Sequence, residues 1–419
     1  MKKYIIVGGN KLFGSVNVPC SKNAYLPILA GCILCDEEII LKDCPNFEDI
    51  KSMCDILKEL GASVIKQGTT LCVNCKNITN HTIPHNLSGK IRSSIFSLGA
   101  ILSRLKRAII AYPGGCDIGS RPIDLHIKGL EAMGVKIQDK HGFLNCDGCN
   151  LAGGTINLDF PSVGATENII LAGILAKGET KIINCAKEPE IVDLANFLNK
   201  MGANICGEGT STITIQGVKK LHGIEYTPIS DRIITGTYAI ATAICGGKVE
   251  LNNANQEHIH ALISKINNNC CKVEIKNNKI LVTQERRPKS FQKLETMPYP
   301  GFPTDLQSQI VTLASISKGT SIITENLFET RFKHVPELVK MGANIVVKGK
   351  TAVVAGVSQL YGAEVNTSDL RGGAALVLAG LGANGYTTVN GIEIIDRGYE
   401  NFEQTLTSLG ADIKRVEQN

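Results

Sequence analysis

The sequence predicts an α/β protein, two pseudo-threefold domains assembled from six repeats of about 70 residues. One phrase carries most of that expectation. It reads Leu57-Lys-Glu-Leu-Gly61-Ala-Ser-Val64 and returns at 130–137, 198–205, 338–345 and 406–413. A degenerate copy at 266–273 has Cys270 in the glycine's place. The marker positions 61, 134, 202, 270, 342 and 410 lie 73, 68, 68, 72 and 68 residues apart. Each copy joins an apolar helix end, a Gly suited to the left-handed C′ position and the start of a strand. Size is the second observation. Three repeats make roughly 200 residues, a normal domain, whereas one repeat is short for independent folding.

Within a repeat the apolar pattern runs helix, strand, helix, strand, strand. Repeat one is expected to hold a buried helix over 22–34, a strand over 38–42, an amphipathic helix over 47–60 and short strands near 62–66 and 70–73. Repeat two gives helices over 91–103 and 123–133 on either side of a strand over 108–112. The divide between domains is expected near 226–232. One domain would span 21–229, hold repeats one to three and carry a loop at 112–122. The other would join 1–20 to 230–419 and hold repeats four to six.

Of the 419 residues, 43% are hydrophobic but only 5% aromatic, with no Trp, so the core must be aliphatic. A net charge of +5 makes no case for nucleic acid. The apolar stretch at 26–35 is too short to cross a bilayer, so no membrane insertion is expected. Residues 1–7 faintly resemble a signal peptide, but Gly8-Gly-Asn-Lys11 ends the apolar run; a strand and a cytoplasmic location are expected. Fifteen cysteines then read as free thiols. Cys72 with Cys75 and Cys146 with Cys149 form CxxC pairs. They occupy matching places in repeats one and two, which pseudo-symmetry holds apart, so zinc is not expected. His258 and His260 face different sides of a helical stretch and read as ordinary surface residues.

The repeat register also exposes candidate chemistry. About forty residues before each marker, at the expected start of the first helix, stand Lys22, Arg92, Thr166, Arg232, Asp305 and Arg371. About a dozen before three markers, at the expected start of the second helix, stand Arg121, Arg331 and Arg397. A cation at a helix N-terminus opposes the macrodipole, at about 0.3–1 kcal/mol each. An anion held between helix ends and cationic side chains removes that conflict. For any one residue, solvation or a local ion pair is the simpler account. Seven basic residues recurring at such boundaries point instead to a cationic cleft where the two domains face each other, suited to phosphate and carboxylate groups.

Tyr112-Pro-Gly-Gly-Cys116-Asp-Ile-Gly-Ser-Arg121-Pro122 interrupts repeat two between strand and helix. Its glycines and prolines suit a loop with a stiff frame and a mobile tip. Cys116, framed by glycine and five residues from Arg121, reads as a reactive thiol. Cys32, Cys35 and Cys245 lie in apolar runs and read as structural, and Cys20 is a weaker candidate. Asp305 opens repeat five's first helix, where the dipole favours an acid. Its register match to Lys22 and Arg371 places it in the same cleft, where a carboxylate can act as a base.

These residues resemble a known family. Pro113-Gly-Gly-Cys116-Asp-Ile-Gly-Ser-Arg121-Pro-Ile-Asp-Leu-His126 is similar to the lid of the UDP-N-acetylglucosamine 1-carboxyvinyltransferases, the enolpyruvyl transferase branch that opens peptidoglycan synthesis. Ser21-Lys-Asn-Ala24, Pro161-Ser-Val-Gly-Ala-Thr-Glu-Asn168, Phe302-Pro-Thr-Asp-Leu-Gln307, Asp369-Leu-Arg371 and Ile395-Asp-Arg-Gly-Tyr399 share the likeness, which covers the whole chain. Phe160 stands where some members are basic, and Ile234 where an acid commonly follows Asp231-Arg-Ile.

The resemblance implies an inside-out α/β barrel of six βαβαββ repeats in two domains. It implies transfer of the enolpyruvyl group of phosphoenolpyruvate to the 3′-hydroxyl of UDP-N-acetylglucosamine by addition and elimination, with no cofactor and no metal. Lys22, Arg121 and Arg397 would hold the phosphate of phosphoenolpyruvate, and Arg331 and Arg371 its carboxylate. Asn23 and Asp305 would contact the sugar, Asp305 taking the hydroxyl proton. Arg92, Arg121, Pro122, Ile123, Asp124, Leu125, Ser162, Val163, Gly164 and Leu327 would line the UDP-sugar site. Cys116 would protonate the methylene carbon and be the target of an epoxide such as fosfomycin. The sister enzyme acting on shikimate 3-phosphate shares the fold but lacks the lid Cys and the Ser-Val-Gly-Ala-Thr segment. An inactive or regulatory UDP-sugar-binding paralogue would have no need of Cys116, Asp305 and every cleft arginine. An RNA-end-processing enzyme of a related repeat fold would call for aromatic interleaving that is missing here.

Overall fold

A computed structural model describes residues 2–114, 118–119 and 122–417. The chain divides into two compact units. The N-terminal unit comprises Cys20–Cys116 and Pro122–Ile229; the C-terminal unit comprises Met1–Pro19, Asp117–Arg121 and Ser230–Asn419.

At the heart of the N-terminal unit the helices Lys22–Cys32, Phe96–Leu105 and Val163–Gly173 pack on one another. The C-terminal unit repeats the device with Arg232–Cys245, Gln307–Ser315 and Leu370–Gly382. These helices are apolar nearly all round, so every face needs cover. The strands supply part of it: Thr70–Asn74 buries Leu71 and Val73, and alternate residues face outward. The second helices, such as Glu48–Glu59, bury one stripe only and lie nearer the surface. Helices inside and sheets outside make this the inside-out α/β architecture.

Among the described residues six four-stranded sheets share one order, a parallel pair extended by two antiparallel strands. In repeat one Glu225–Tyr226 runs parallel to Glu38–Leu41, which pairs antiparallel with Thr70–Asn74, and that strand with Ser63–Gln67. Leu12–Asn17 fills the first place beside Gly247–Asn252 in repeat four's sheet. Lys2–Val7 lies between Tyr386–Asn390 and Asp412–Glu417 in repeat six's sheet.

The marker glycines do what the sequence asks of them. Gly61, Gly134, Gly202, Gly342 and Gly410 have φ of 105, 87, 101, 90 and 100°. In each copy the glycine N–H donates three residues back and the next N–H five residues back, as Gly61 to Lys58 and Ala62 to Leu57. Cys270 has φ −143°, and its N–H donates four residues back, to Ile266. Repeat four dispenses with the glycine because its chain leaves the helix by a route open to any residue.

Two expected helix starts are displaced. Arg331 lies in a turn ahead of the helix Val335–Lys340, which starts around Pro336. Arg397 closes the 3-10 helix Ile392–Arg397, and the next helix, Phe402–Ser408, follows Asn401 with φ 47°. Neither cation opposes a helix dipole. The first helices of repeats two and five begin as 3-10 turns, Arg92–Ile95 and Thr304–Leu306. Among the described residues no helix is long and apolar enough to cross a membrane, and fourteen cysteines are free thiols.

Candidate active site

In the C-terminal unit three of the expected residues meet. Asp305 sits in the turn Thr304–Leu306 that opens a core helix. Arg331 donates through Nη2 to Asp305 Oδ1 and through Nε to the Thr304 carbonyl at 3.2 Å. Arg371, the second residue of its helix, donates through Nη2 to Asp305 Oδ2 at 3.2 Å and through Nη1 to the Tyr399 hydroxyl at 3.3 Å. Asp369 caps that helix by accepting from the Arg371 and Gly372 N–H groups at 3.1 and 3.0 Å. The arginine side chains are 2% and 3% exposed, that of Asp305 27%. Burial works against the Arg371 charge most strongly, but Asp305, Tyr399 and Asp231 together outweigh it and hold the guanidinium above its ordinary pKa. Two planar, permanently charged donors that converge on one carboxylate are equally suited to a bound carboxylate.

The surroundings hold this cluster still. The Tyr399 hydroxyl is 2.8 Å from Thr237 Oγ1, to which Gln309 Nε2 donates at 3.3 Å, so one buried network spans the three core helices. Glu325 Oε1 accepts from Thr296 Oγ1 and the Leu327 N–H at 2.8 Å each, and Oε2 accepts from Thr304 Oγ1 at 2.9 Å. Those bonds tie half-buried Leu327 to the Asp305 turn. Arg397, also half-buried, belongs to the 3-10 helix packed on Leu370–Gly382, and its neighbour Asp396 accepts from Arg415.

The N-terminal unit carries the other expected residues. Lys22 opens its helix after the Ser21 cap and donates to Asp49 Oδ2 at 3.1 Å, both side chains nearly buried. Asn23 follows, half-buried. Arg92 Nη1 reaches the carbonyl of Pro113, the foot of the glycine-rich loop, at 3.5 Å. Beside it, a Cβ on Gly114 would lie 1.9 Å from the Gly89 carbonyl oxygen, so no other residue fits there. Pro122 is exposed, Ile123 buried, Asp124 the first residue of the helix Asp124–Ala132 and Leu125 half-buried. Ser162 caps the helix that holds Val163 and Gly164, accepting from the Ala165 N–H at 3.3 Å. His126 Nδ1 accepts from Asn168 Nδ2 at 3.1 Å, and a Cβ on Gly164 would meet His126 Cε1 at 3.1 Å. The segments 122–126 and 162–168 are therefore neighbours. Cys116 and Arg121 lie outside the described residues. Cys20 is buried, its thiol donating to the Pro228 carbonyl at 3.2 Å, which suits a structural role.

Comparison with known proteins separates the branches of the superfamily. Residues 6–406 match the EPSP synthase (3-phosphoshikimate 1-carboxyvinyltransferase) family. The chain is 52% identical over 416 residues to UDP-N-acetylglucosamine 1-carboxyvinyltransferase 2 of Caldanaerobacter subterraneus subsp. tengcongensis, covering 99% of this chain and all of that one. It is 48% identical to UDP-N-acetylglucosamine 1-carboxyvinyltransferase 1 of Clostridium acetobutylicum over all of both chains. The chain belongs to the UDP-N-acetylglucosamine 1-carboxyvinyltransferase family. Among solved structures, the enolpyruvyl transferase NikO from Streptomyces tendae aligns with TM-score 0.89 at 23% identity, over 99% of each chain. EPSP synthase from Acinetobacter baumannii aligns with TM-score 0.78 at 19% identity over all of both. At such identities these two speak for the fold alone.

Two residues of this family member are not marked by the register of cations. Asp49, the partner of Lys22, stands twelve residues before the marker Gly61, in the same register as Arg331 and Arg397. Its position follows the repeat, and only its acidic side chain sets it apart from the cations there. Tyr399 ends the motif Ile395-Asp-Arg-Gly-Tyr399, but nothing in its spacing announces a hydrogen bond to Arg371.

Proposed function

We propose that this chain transfers the enolpyruvyl group of phosphoenolpyruvate to the 3′-hydroxyl of UDP-N-acetylglucosamine and releases phosphate. The observation that carries this reading is Asp305 held between buried Arg331 and Arg371, on a chain about half identical to two transferases named for that reaction. Arg331 and Arg371 would take the carboxylate of phosphoenolpyruvate, releasing Asp305 to draw the proton from the sugar hydroxyl. The hydroxyl oxygen adds to C2 while Cys116 gives a proton to C3. Loss of a C3 proton and of phosphate then restores the double bond. Lys22, Arg121 and Arg397 would hold the phosphate, with Asp49 steadying Lys22. Asn23, Arg92, Pro122–Leu125, Ser162–Gly164 and Leu327 would hold the UDP-sugar. The charge that develops is met by fixed cations, and a slow proton transfer to carbon is aided by a positioned acid on a loop. Free thiols suit work in the cytoplasm. The product would feed cell-wall synthesis, and with it cell shape and division.

The test is phosphate release with purified protein and both substrates, the nucleotide product identified by mass spectrometry. Phosphate release that needs both substrates, with a mass gain for one enolpyruvyl group, is expected. Release with shikimate 3-phosphate in place of the UDP-sugar would assign the chain to the sister reaction.

A further inference from the structure

We propose that His334 is a positioning residue for the carboxylate clamp, fixing the Arg331 backbone against the first turn of the Arg371 helix so that both guanidinium groups keep one aim. The proposal rests on reading Arg331 and Arg371 as the phosphoenolpyruvate clamp. His334 is fully buried, with Nδ1 3.2 Å from the Arg331 carbonyl oxygen. A carbonyl only accepts, so Nδ1 carries the proton. In the neutral ring Nε2 is then a bare acceptor, and it has no hydrogen-bond partner among the described residues. Burial pushes the ring pKa down to about 4, against the pull of the Asp369 carboxylate, so the neutral form persists at neutral pH.

The Cβ of His334 also lies against the helix turn that carries the second arginine. A Cβ on Gly372 would come within 3.0 Å of His334 Cβ, so glycine at 372 lets the histidine lie against the turn that presents Arg371. Asp369 fixes that turn from its other side. Arg331 needs such support because it stands in a turn, outside any helical ladder. Thr304 and Asp305 hold only its side chain, the part that must change partners when a substrate carboxylate arrives. An aliphatic residue would fill the same space without burying an unpaired nitrogen, which carries a free-energy cost. What the histidine adds is the Nδ1 donor.

Phosphate release by the wild-type protein is measured first. Its absence would refute the proposed function and leave the His334 geometry to be judged separately. Three variants then place the donor differently. His334→Asn sets an amide nitrogen where Nδ1 was, His334→Gln moves it one bond further, and His334→Leu removes it. The Gln and Leu variants are expected to raise KM for phosphoenolpyruvate about tenfold, the size of one lost hydrogen bond, with KM for the UDP-sugar unchanged. The Asn variant is expected to restore the wild-type KM despite a lower melting temperature. Equal KM for phosphoenolpyruvate in all three, with only melting altered, would overturn the proposal. Should the Gln and Leu variants fail to fold, nitrogen-15 histidine spectra of the wild type decide. An Nδ1–H tautomer whose signal shifts when phosphoenolpyruvate is added supports it; an Nε2–H tautomer, or no shift, overturns it.

Discussion

In the N-terminal unit the core helix Val163–Gly173 buries Glu167, 1% exposed and with one carboxyl oxygen unpaired among the described residues. Burial first, then the charges of Glu190 and Glu188, push that carboxyl well above the carboxylate range. Burial likewise pushes Asp193 up to about 6, although Tyr226 and the Ile229 N–H donate to it. In the C-terminal unit the core helix Leu370–Gly382 buries Arg371, which keeps its charge and leans on Asp305. The three-helix core of one unit shelters, beside the paired Lys22, a carboxyl whose charge burial disfavours, and that of the other a fixed cation. A carboxyl escapes the cost of burial by taking up a proton, and a guanidinium cannot. Only the cation therefore has to be given a partner. A buried charge that a fold cannot shed, yet keeps, is the better candidate for chemistry.

Substitutions test that contrast. Cys116→Ser would break it most, because this residue belongs to the sequence of repeat two and turnover is still expected to be abolished or severely weakened. Cys116→Asp is expected to retain activity and resist fosfomycin, since a carboxylic acid can also protonate carbon. Peptide mapping after epoxide treatment should find the label on Cys116, faster with UDP-N-acetylglucosamine present; a label mainly on another cysteine counts against the assignment. Asp305→Asn should lower turnover about a hundredfold or more while calorimetry still registers UDP-N-acetylglucosamine binding. A wild-type rate would remove Asp305 from the mechanism.

Arg371→Ala sharpens the contrast by striking chemistry and stability together. Activity should be lost, and stability should fall by about 3 kcal/mol, because a buried ion pair loses one member. Arg397→Ala should lose activity with little change in melting, its side chain being only half-buried. Unchanged kinetics in either would count against the charge clamp.

The smallest effect on turnover belongs to Asp193. Its folded pKa lies above its unfolded value, so its contribution to stability is complete below about pH 4 and lost as the pH rises through about 6. The loss amounts to about 3 kcal/mol. Asp193→Asn should remove that slope and leave turnover alone. Denaturant unfolding at several pH values checks it: a stability difference from wild type that does not grow between pH 4 and 6 would mean the buried acid is charged after all.

The fold was largely legible because its punctuation is local. A left-handed residue after a helix demands glycine, and five of six copies supply it. Repeat four escaped the rule where Cys270 takes another backbone path. The site was legible only in part. Register singles out Asp305, Arg331 and Arg371, which the structure brings together, yet opposition to a helix dipole does not apply to Arg331 or Arg397. Pro336 and Asn401 delay those helices, and no periodicity of apolar residues records a delay of a few positions. Asp49 and His334 act through single contacts with another segment, which spacing along one chain does not encode.

The strand Lys2–Val7, seated between Tyr386–Asn390 and Asp412–Glu417, bears on how the protein is made. A ribosome adds about 5–20 residues each second, so this strand waits roughly 20–80 s for its last neighbour to emerge. The N-terminal unit is complete in sequence by Ile229 and can settle while the remainder is synthesised. Tyr4, Ile5, Ile6 and Val7 spend that interval as an unpaired apolar edge, a template for the wrong partner. Lys2 and Lys3 at its head are the kind of charge that discourages such pairing. Replacing both with uncharged residues would leave the finished enzyme nearly unaltered and lower the fraction of newly made chains that reach it.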